Sequence, residues 1–349
     1  MSHSHQAQPG ETILVTGGSG YLGGWCIVEL LRRGHAVRTT VRDFSREPAV
    51  RETVAREGDP GDRLTFFEAD LMSDDGWREA VDGCEYVLHV ASPFPPQSPK
   101  DASELIVPAR DGTLRVLREA LRAGVKRVVV TSSSATVGGA PEPRPDPLTE
   151  DVWTDASAPD TRAYVQSKVI AEQAAWELMG GEGAKDRLTT ILPGAILGPV
   201  LSPDLSYSAQ AVERLLNRSM PGIPRLGFSF VDVRDVADLH VRAIAAPEAA
   251  GERFLATTKA LWLSDVAQIL RERLGPEADR VPTRRVPNFV VRAAARFDPE
   301  LRQIAGQLGK RSEFSSEKAR TRLGWSPRPI EDTIAECGRS LLQLGAVSV

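Results

Sequence analysis

The chain has 349 residues, 41% of them hydrophobic and 26% charged, enough for one large α/β domain or two lobes around a sizeable core. A formal net charge of −4 leaves no concentrated basic face for nucleic acid or a membrane surface, so the partner to expect is a small neutral or modestly polar molecule. The 3 cysteines, Cys26, Cys84 and Cys337, lack any CxxC pairing and offer neither a disulfide framework nor a zinc site; they read as small buried apolar residues in a reducing, cytoplasmic compartment.

Residues 1–10 are polar, without the charged and apolar regions of an export signal, and read as a disordered leader whose His3 and His5 are solvated rather than metal ligands. No later run reaches the roughly 18 apolar residues of a membrane span. Short β-branched runs then alternate with helical patterns: 12–16, 36–42, 64–68, 86–90, 127–131 and 188–192. Being apolar nearly throughout, they predict strands buried on both faces of a parallel sheet, and hence a doubly wound α/β fold of Rossmann type. Helical spacing places Leu22, Cys26 and Leu30 on one inward face and Leu105, Leu114, Leu117 and Leu121 on another, with Gly34 and Gly124 at the helix ends.

The first strand runs into Thr16-Gly17-Gly18-Ser19-Gly20-Tyr21-Leu22-Gly23, a glycine-rich turn opening a helix. Gly17 permits the tight turn, Gly20 lets backbone approach a pyrophosphate, and Gly23 allows close packing of helix on strand. Phosphates would sit on the free N–H groups of the helix start, so Thr16, Gly17, Gly20, Tyr21, Leu22 and Gly23 are expected to bind a dinucleotide. At the end of the second strand an NAD site needs a carboxylate for the ribose hydroxyls and an NADP site a cation for the extra phosphate. Val41 stands at the acidic position and Arg42 follows, which favours NADP(H), with Arg38 and Arg46 as assistants. Asp43 leaves two alternatives open, a carboxylate turned to the ribose or an exposed pair with Arg42. Asp70 and Leu71 after the third strand suit the adenine, and Val90, Ala91 and Ser92, followed by Pro93, end the fourth strand where the nicotinamide ribose would rest.

At the end of the fifth strand, Thr131-Ser132-Ser133-Ser134 offers hydroxyls for a substrate carbonyl oxygen, although such a cluster also makes a plain turn. Residues 141–147 read as a proline-rich surface loop. In the helical segment 161–178, Tyr164 and Lys168 are four apart and share a face. A fixed ammonium beside a phenol lowers its pKa toward the working range, so lysine is expected to tune tyrosine; a solvated helix face is the alternative. Beyond Leu192, prolines at 193, 199, 203, 221, 224, 282, 287, 327 and 329 break the pattern. Residues 11–193, with about 227–258, are expected to form the cofactor-binding domain, and about 194–226 and 259–349 a substrate lobe. Ile196, Leu201, Leu205, Tyr207, Phe228 and Trp262 are candidates for an apolar substrate pocket there.

Together, the glycine turn, Thr-Val-Arg-Asp at 40–43, Ala-Asp-Leu at 69–71, Val-Ala-Ser-Pro at 90–93, Thr-Ser-Ser at 131–133, Tyr164-x-x-x-Lys168 and Ala-Glu-Gln-Ala-Ala-Trp at 171–176 resemble the extended short-chain dehydrogenase/reductase family. The resemblance is strongest to the branch of dihydroflavonol 4-reductases, cinnamoyl-CoA reductases and bacterial aldehyde reductases. It implies a catalytic serine at Ser133, with Ser134 one position away as the alternative, a proton donor at Tyr164, and at Lys168 a residue that also holds the nicotinamide ribose. It implies that Pro193, Ala195 and Ile196 close over the nicotinamide carboxamide, that 230–237 forms a return strand and helix, and that Leu323-Gly324-Trp325 is a turn of the substrate lobe. The expected activity is NADPH-dependent reduction of an aldehyde or ketone by a metal-free monomer or homodimer. A nucleotide-sugar epimerase or dehydratase that recycles NAD(P), and a non-enzymatic NADP(H)-binding sensor, are the competing readings. Ala91-Ser92-Pro93 and Asp111-Gly112-Thr113 depart from the epimerase pattern.

Overall fold

The computed structural model describes residues 10–92 and 101–347. His3, His5 and Pro93 lie outside the described residues. Twelve strands are formed among the described residues: β1 Thr12–Thr16, β2 Ala36–Val41, β3 Leu64–Glu68, β4 Tyr86–His89, β5 Arg127–Thr131, β6 Leu188–Pro193, β7 Ala195–Leu197, β8 Ile223–Pro224, β9 Gly227–Asp232, β10 Arg253–Ala256, β11 Lys259–Trp262 and β12 Arg285–Val286.

Seven of them make one parallel sheet in the order β10-β6-β5-β4-β1-β2-β3. All residues of β4, β6 and β10 are buried, as strands covered on both faces must be. The helices Tyr21–Arg32 and Val233–Ala245 pack together over one face, and Ser103–Arg122 and Ala163–Gly181 over the other. Strand order reverses between β1 and β4, so the chain diverges there and leaves a crevice at the carboxyl ends of the strands. Gly34 and Gly124 end their helices with φ of +85° and +73°. Residues 141–147 are exposed, and Cys26, Cys84 and Cys337 are free and buried. No helix among the described residues is long and apolar enough to cross a membrane.

Two findings differ from the sequence reading. Gly227–Asp232, grouped there with the cofactor half, pairs with β7 and β11 in a separate three-stranded sheet, while the edge of the main sheet is Arg253–Ala256. The turn at Gly324 sends Trp325 into the main core, where its indole N–H donates to the Asp235 carbonyl at 2.8 Å, rather than toward a substrate lobe. A second core gathers Leu197, Phe230 and Leu261 of the small sheet with the helices Tyr207–Leu216, Leu263–Leu274 and Ile330–Gln343.

Candidate active site

β1 ends in a turn whose glycines have different reasons. Gly17 has a φ of +74°, and its carbonyl accepts from the Gly20 N–H at 2.9 Å. A Cβ on Gly23 would lie 2.3 Å from that same carbonyl, so only glycine lets the helix start beneath the turn. A Cβ on Gly20 would meet only the Gly17 oxygen, at 3.3 Å, and its outer side is clear for a ligand. Gly18 carries a constraint that the spacing rule does not assign: a Cβ there would stand 2.1 Å from Thr39 Oγ1. Thr39 Oγ1 donates to the Val15 carbonyl at 2.8 Å and Thr40 Oγ1 accepts from Gly17 N–H at 3.1 Å, so two threonines of β2 brace the turn. The paired threonines at a strand end were the available signal. The side chains of Leu22 and Tyr21 are turned into packing, Leu22 into the main core and Tyr21 between the two cores, where burial pushes its phenol well up. These two residues therefore offer the crevice backbone rather than side chains.

Above the turn lies a cavity of about 370 Å³, lined among others by Ser19, Gly20, Arg46, Thr53, Leu201 and Asp204, within the size range of ligand sites. Arg46 Nη1 reaches to 3.8 Å from Asp204 Oδ2 across it. Arg42 is exposed and has no hydrogen bond or ion pair among the described residues. Asp43 is engaged: its carboxylate accepts from the Ser45 N–H at 2.7 Å to cap the following turn, and the Ser45 hydrogen bonds hold its carboxyl below the usual range. Arg38, expected to assist the phosphate, is engaged elsewhere. Its guanidinium donates to the carbonyls of Glu79 and Asp82 and lies 5.0 Å from the Phe67 ring on β3, so it is held against the neighbouring strand and the helix Trp77–Val81. Asp70 likewise ties down its own turn through the Met72 N–H at 2.8 Å, and Leu71 packs where a Cβ on Gly112 would come within 2.8 Å.

The ends of β4 and β5 meet the helix Ala163–Gly181. Tyr164 Oη lies 3.5 Å from Ser133 Oγ, and Lys168 Nζ donates to Ser92 Oγ at 2.9 Å. Ser134 instead heads the short helix Ala135–Gly138 and donates its backbone N–H to the Pro193 carbonyl at 2.9 Å. Ser132 turns inward and donates to Glu172 at 2.5 Å. Glu172, four residues beyond Lys168, also accepts from Thr190 Oγ1 and Arg253 Nε, each at 2.8 Å. Neither Glu172 nor Arg253 was selected from the sequence; Tyr164, Lys168 and Glu172 at intervals of four on one helix face were the signal. The expected lowering of the Tyr164 phenol is corrected by this geometry. Burial pushes the phenol up, against smaller lowering from the Ser133 hydrogen bond and Arg162, while Lys168 is turned to Ser92 and is itself pushed down by burial to about 8.

Pro193 ends β6 and Ala195 and Ile196 begin β7, with Gly194 between them where a Cβ would meet the Ser229 carbonyl at 2.2 Å. The six apolar candidates do not gather into one pocket. Ile196 packs on the main core, Leu201 walls the cavity over the glycine turn, and Leu205 and Phe228 pack on the second core. Tyr207 is 58% exposed, and Trp262 is held by Arg225 and Arg311 at 4.8 and 5.4 Å from its ring. Their scatter follows from tertiary placement, which apolar composition does not encode.

The family described as the NAD dependent epimerase/dehydratase family matches residues 13–256. A cinnamoyl-CoA reductase of Medicago truncatula is 38% identical over 268 residues, covering 75% of this chain and 81% of its own. A dihydroflavonol 4-reductase of Dianthus caryophyllus is 34% identical over 79% of this chain and 76% of its own. Among solved structures, the yeast methylglyoxal/isovaleraldehyde reductase complexed with NADPH superposes with a TM-score of 0.76 at 23% identity, covering 96% of this chain and all of that one.

Proposed function

The chain belongs to the NAD dependent epimerase/dehydratase family, and from that premise we propose that it is an NADPH-dependent reductase of an aldehyde or ketone. Its curated relatives are reductases, so the general class is oxidoreductase. The observation that carries the finer reading is the approach of the Tyr164 and Ser133 hydroxyls, 3.5 Å apart, beside Lys168 at the carboxyl edge of the sheet.

The residues present fit a dinucleotide phosphate. The outer side of Gly20 is clear of side chains, Arg42 and Arg46 stand by the end of β2, and Asp43 already spends one carboxylate oxygen on capping its own turn. When bound, NADPH supplies a hydride to the carbonyl carbon. Ser133 donates a hydrogen bond to the carbonyl oxygen and Tyr164 gives that oxygen a proton as negative charge develops on it. The burial that raises the phenol keeps the proton on Tyr164 until that charge arises. Lys168, on the same helix face as Tyr164 and held on Ser92 Oγ, would hold the nicotinamide ribose and offer its ammonium to the tyrosinate.

Purified protein should oxidise NADPH faster than NADH against a panel of aromatic and aliphatic aldehydes and ketones. Tyr164→Phe should lower kcat by roughly 10²–10⁴-fold while binding NADPH as before. Wild-type turnover by the variant would remove Tyr164 from the mechanism.

A further inference from the structure

His89, at the carboxyl end of β4, is 2% exposed and lies between Thr16 of β1 and Thr113 of the helix Ser103–Arg122. Donor and acceptor capacity assigns every hydrogen in this group. Thr113 Oγ1 gives its one hydrogen to the Ala109 carbonyl at 2.8 Å, so across the 3.3 Å to His89 Nε2 it accepts, and Nε2 carries the proton. From the other side, Thr16 Oγ1 accepts from the N–H groups of Val90 and Ala91, at 3.1 and 3.0 Å, which occupies both lone pairs. Its own hydrogen therefore points at His89 Nδ1, 2.9 Å away, which must be bare. The two ends reach the same tautomer independently.

What this arrangement holds is the loop 90–92. Ala91 packs against the glycine turn, where a Cβ on Gly17 would come within 3.0 Å of the Ala91 Cβ, and Ser92 receives Lys168 at 2.9 Å. We infer that His89 is a positioning residue: fixed as the Nε2–H tautomer by Thr113, it orients the Thr16 hydroxyl to receive the Val90 and Ala91 amides, and thereby sets the loop that joins the glycine turn to Lys168. An Nδ1–H ring would confront the Thr16 hydrogen and oblige Thr16 to release one of the two amides. Burial and the nearby Lys168 ammonium, which push the imidazole down to about 3, keep it neutral near pH 7. The part of this inference that concerns cofactor binding rests on the NADPH reading above.

A long-range ¹H–¹⁵N spectrum of the full chain without cofactor, with His89 assigned by its loss in His89→Asn, should show a protonated Nε2 and a bare Nδ1 at pH 7. A protonated Nδ1 overturns the assignment. Fluorescence titration with NADPH gives the second arm. His89→Leu fills the volume but offers Thr16 no acceptor, and should weaken binding by about tenfold. His89→Asn, whose Oδ1 stands near the former Nδ1, should bind within about twofold of wild type. Wild-type affinity in the leucine variant would reduce His89 to a filler and overturn the inference. Wild-type protein that binds neither NADPH nor NADH would sink the cofactor reading instead, and the spectrum then decides the wiring alone.

Discussion

Lys168 and Tyr164 are shifted by the same cause in opposite senses. Desolvation disfavours the charged form of each, so the phenol rises above its usual value of 10.0 and the amine falls to about 8. The Glu172 carboxylate, one helical turn on, opposes the fall in Lys168, while His89 on β4 faces it as a neutral ring. Lysine is cationic below its pKa, so the ammonium is the main form at neutral pH and is lost as pH rises through about 8. If that cation stabilises the tyrosinate formed during reduction, kcat/KM should decline above about pH 8, with the limb reaching about tenfold per pH unit. Glu172→Gln should move the decline to lower pH, which a purely structural role for Glu172 would not do. A pH–rate profile from pH 6 to about 10 reads both effects, and an unmoved limb in the variant removes Glu172 from the electrostatics. Residue-level reading of the sequence reached Tyr164 and Lys168 because helical spacing alone makes them neighbours. It left Asp43 open because its role turns on a hydrogen bond to Ser45, a matter of local backbone rather than residue type.

At the scale of elements, the six strands 12–16, 36–42, 64–68, 86–90, 127–131 and 188–192 were legible to within a residue at each end. Strands covered on both faces have little choice but to be apolar, so their pattern survives without context. β10 has only four residues and begins with Arg253, and β7 has three; runs so short carry too little periodicity to stand out. The glycine turn shows the same division. Its tight φ and its helix packing were readable, whereas the constraint on Gly18 comes from Thr39 on a different strand. Gly23→Ala tests the packing directly, because the added methyl would sit 2.3 Å from the Gly17 carbonyl and the backbone there has no flexible end to yield. The helix Tyr21–Arg32 must shift off β1, at a cost of about 1–3 kcal/mol typical of overpacking. A urea midpoint lowered at constant slope would register this. An alanine variant as stable as wild type would mean that the turn itself relaxes.

Across the whole molecule, the helix that carries Tyr164 and Lys168 is tied to the last strand of the main sheet by a buried ion pair. Arg253 on β10 donates to Glu172 on the helix that carries Tyr164 and Lys168, to Thr136 at 3.0 Å beyond Ser133, and to the carbonyls of Glu150 and Val152, with its guanidinium 3.6 Å from the Trp153 ring. Glu172 in turn receives Ser132 and Thr190, so β5, β6, β10 and the helix Ala163–Gly181 share one polar node inside otherwise apolar packing. A node of this kind adds little net stability over an apolar replacement, since both charges are desolvated, yet losing one partner strands the other. Arg253→Met keeps much of the volume and the contact with Trp153 while leaving Glu172 buried without its cation. It should cost about 3–5 kcal/mol, whereas adding Glu172→Gln to it should recover part of that loss, because a neutral amide is far cheaper to bury than an unpaired carboxylate. Urea unfolding of the two single variants and the double variant closes the cycle. A loss below about 1 kcal/mol for Arg253→Met would mean that solvent reaches the pair. The sheet edge would then owe its order to apolar packing, with Ser133 and Tyr164 held by their own elements alone.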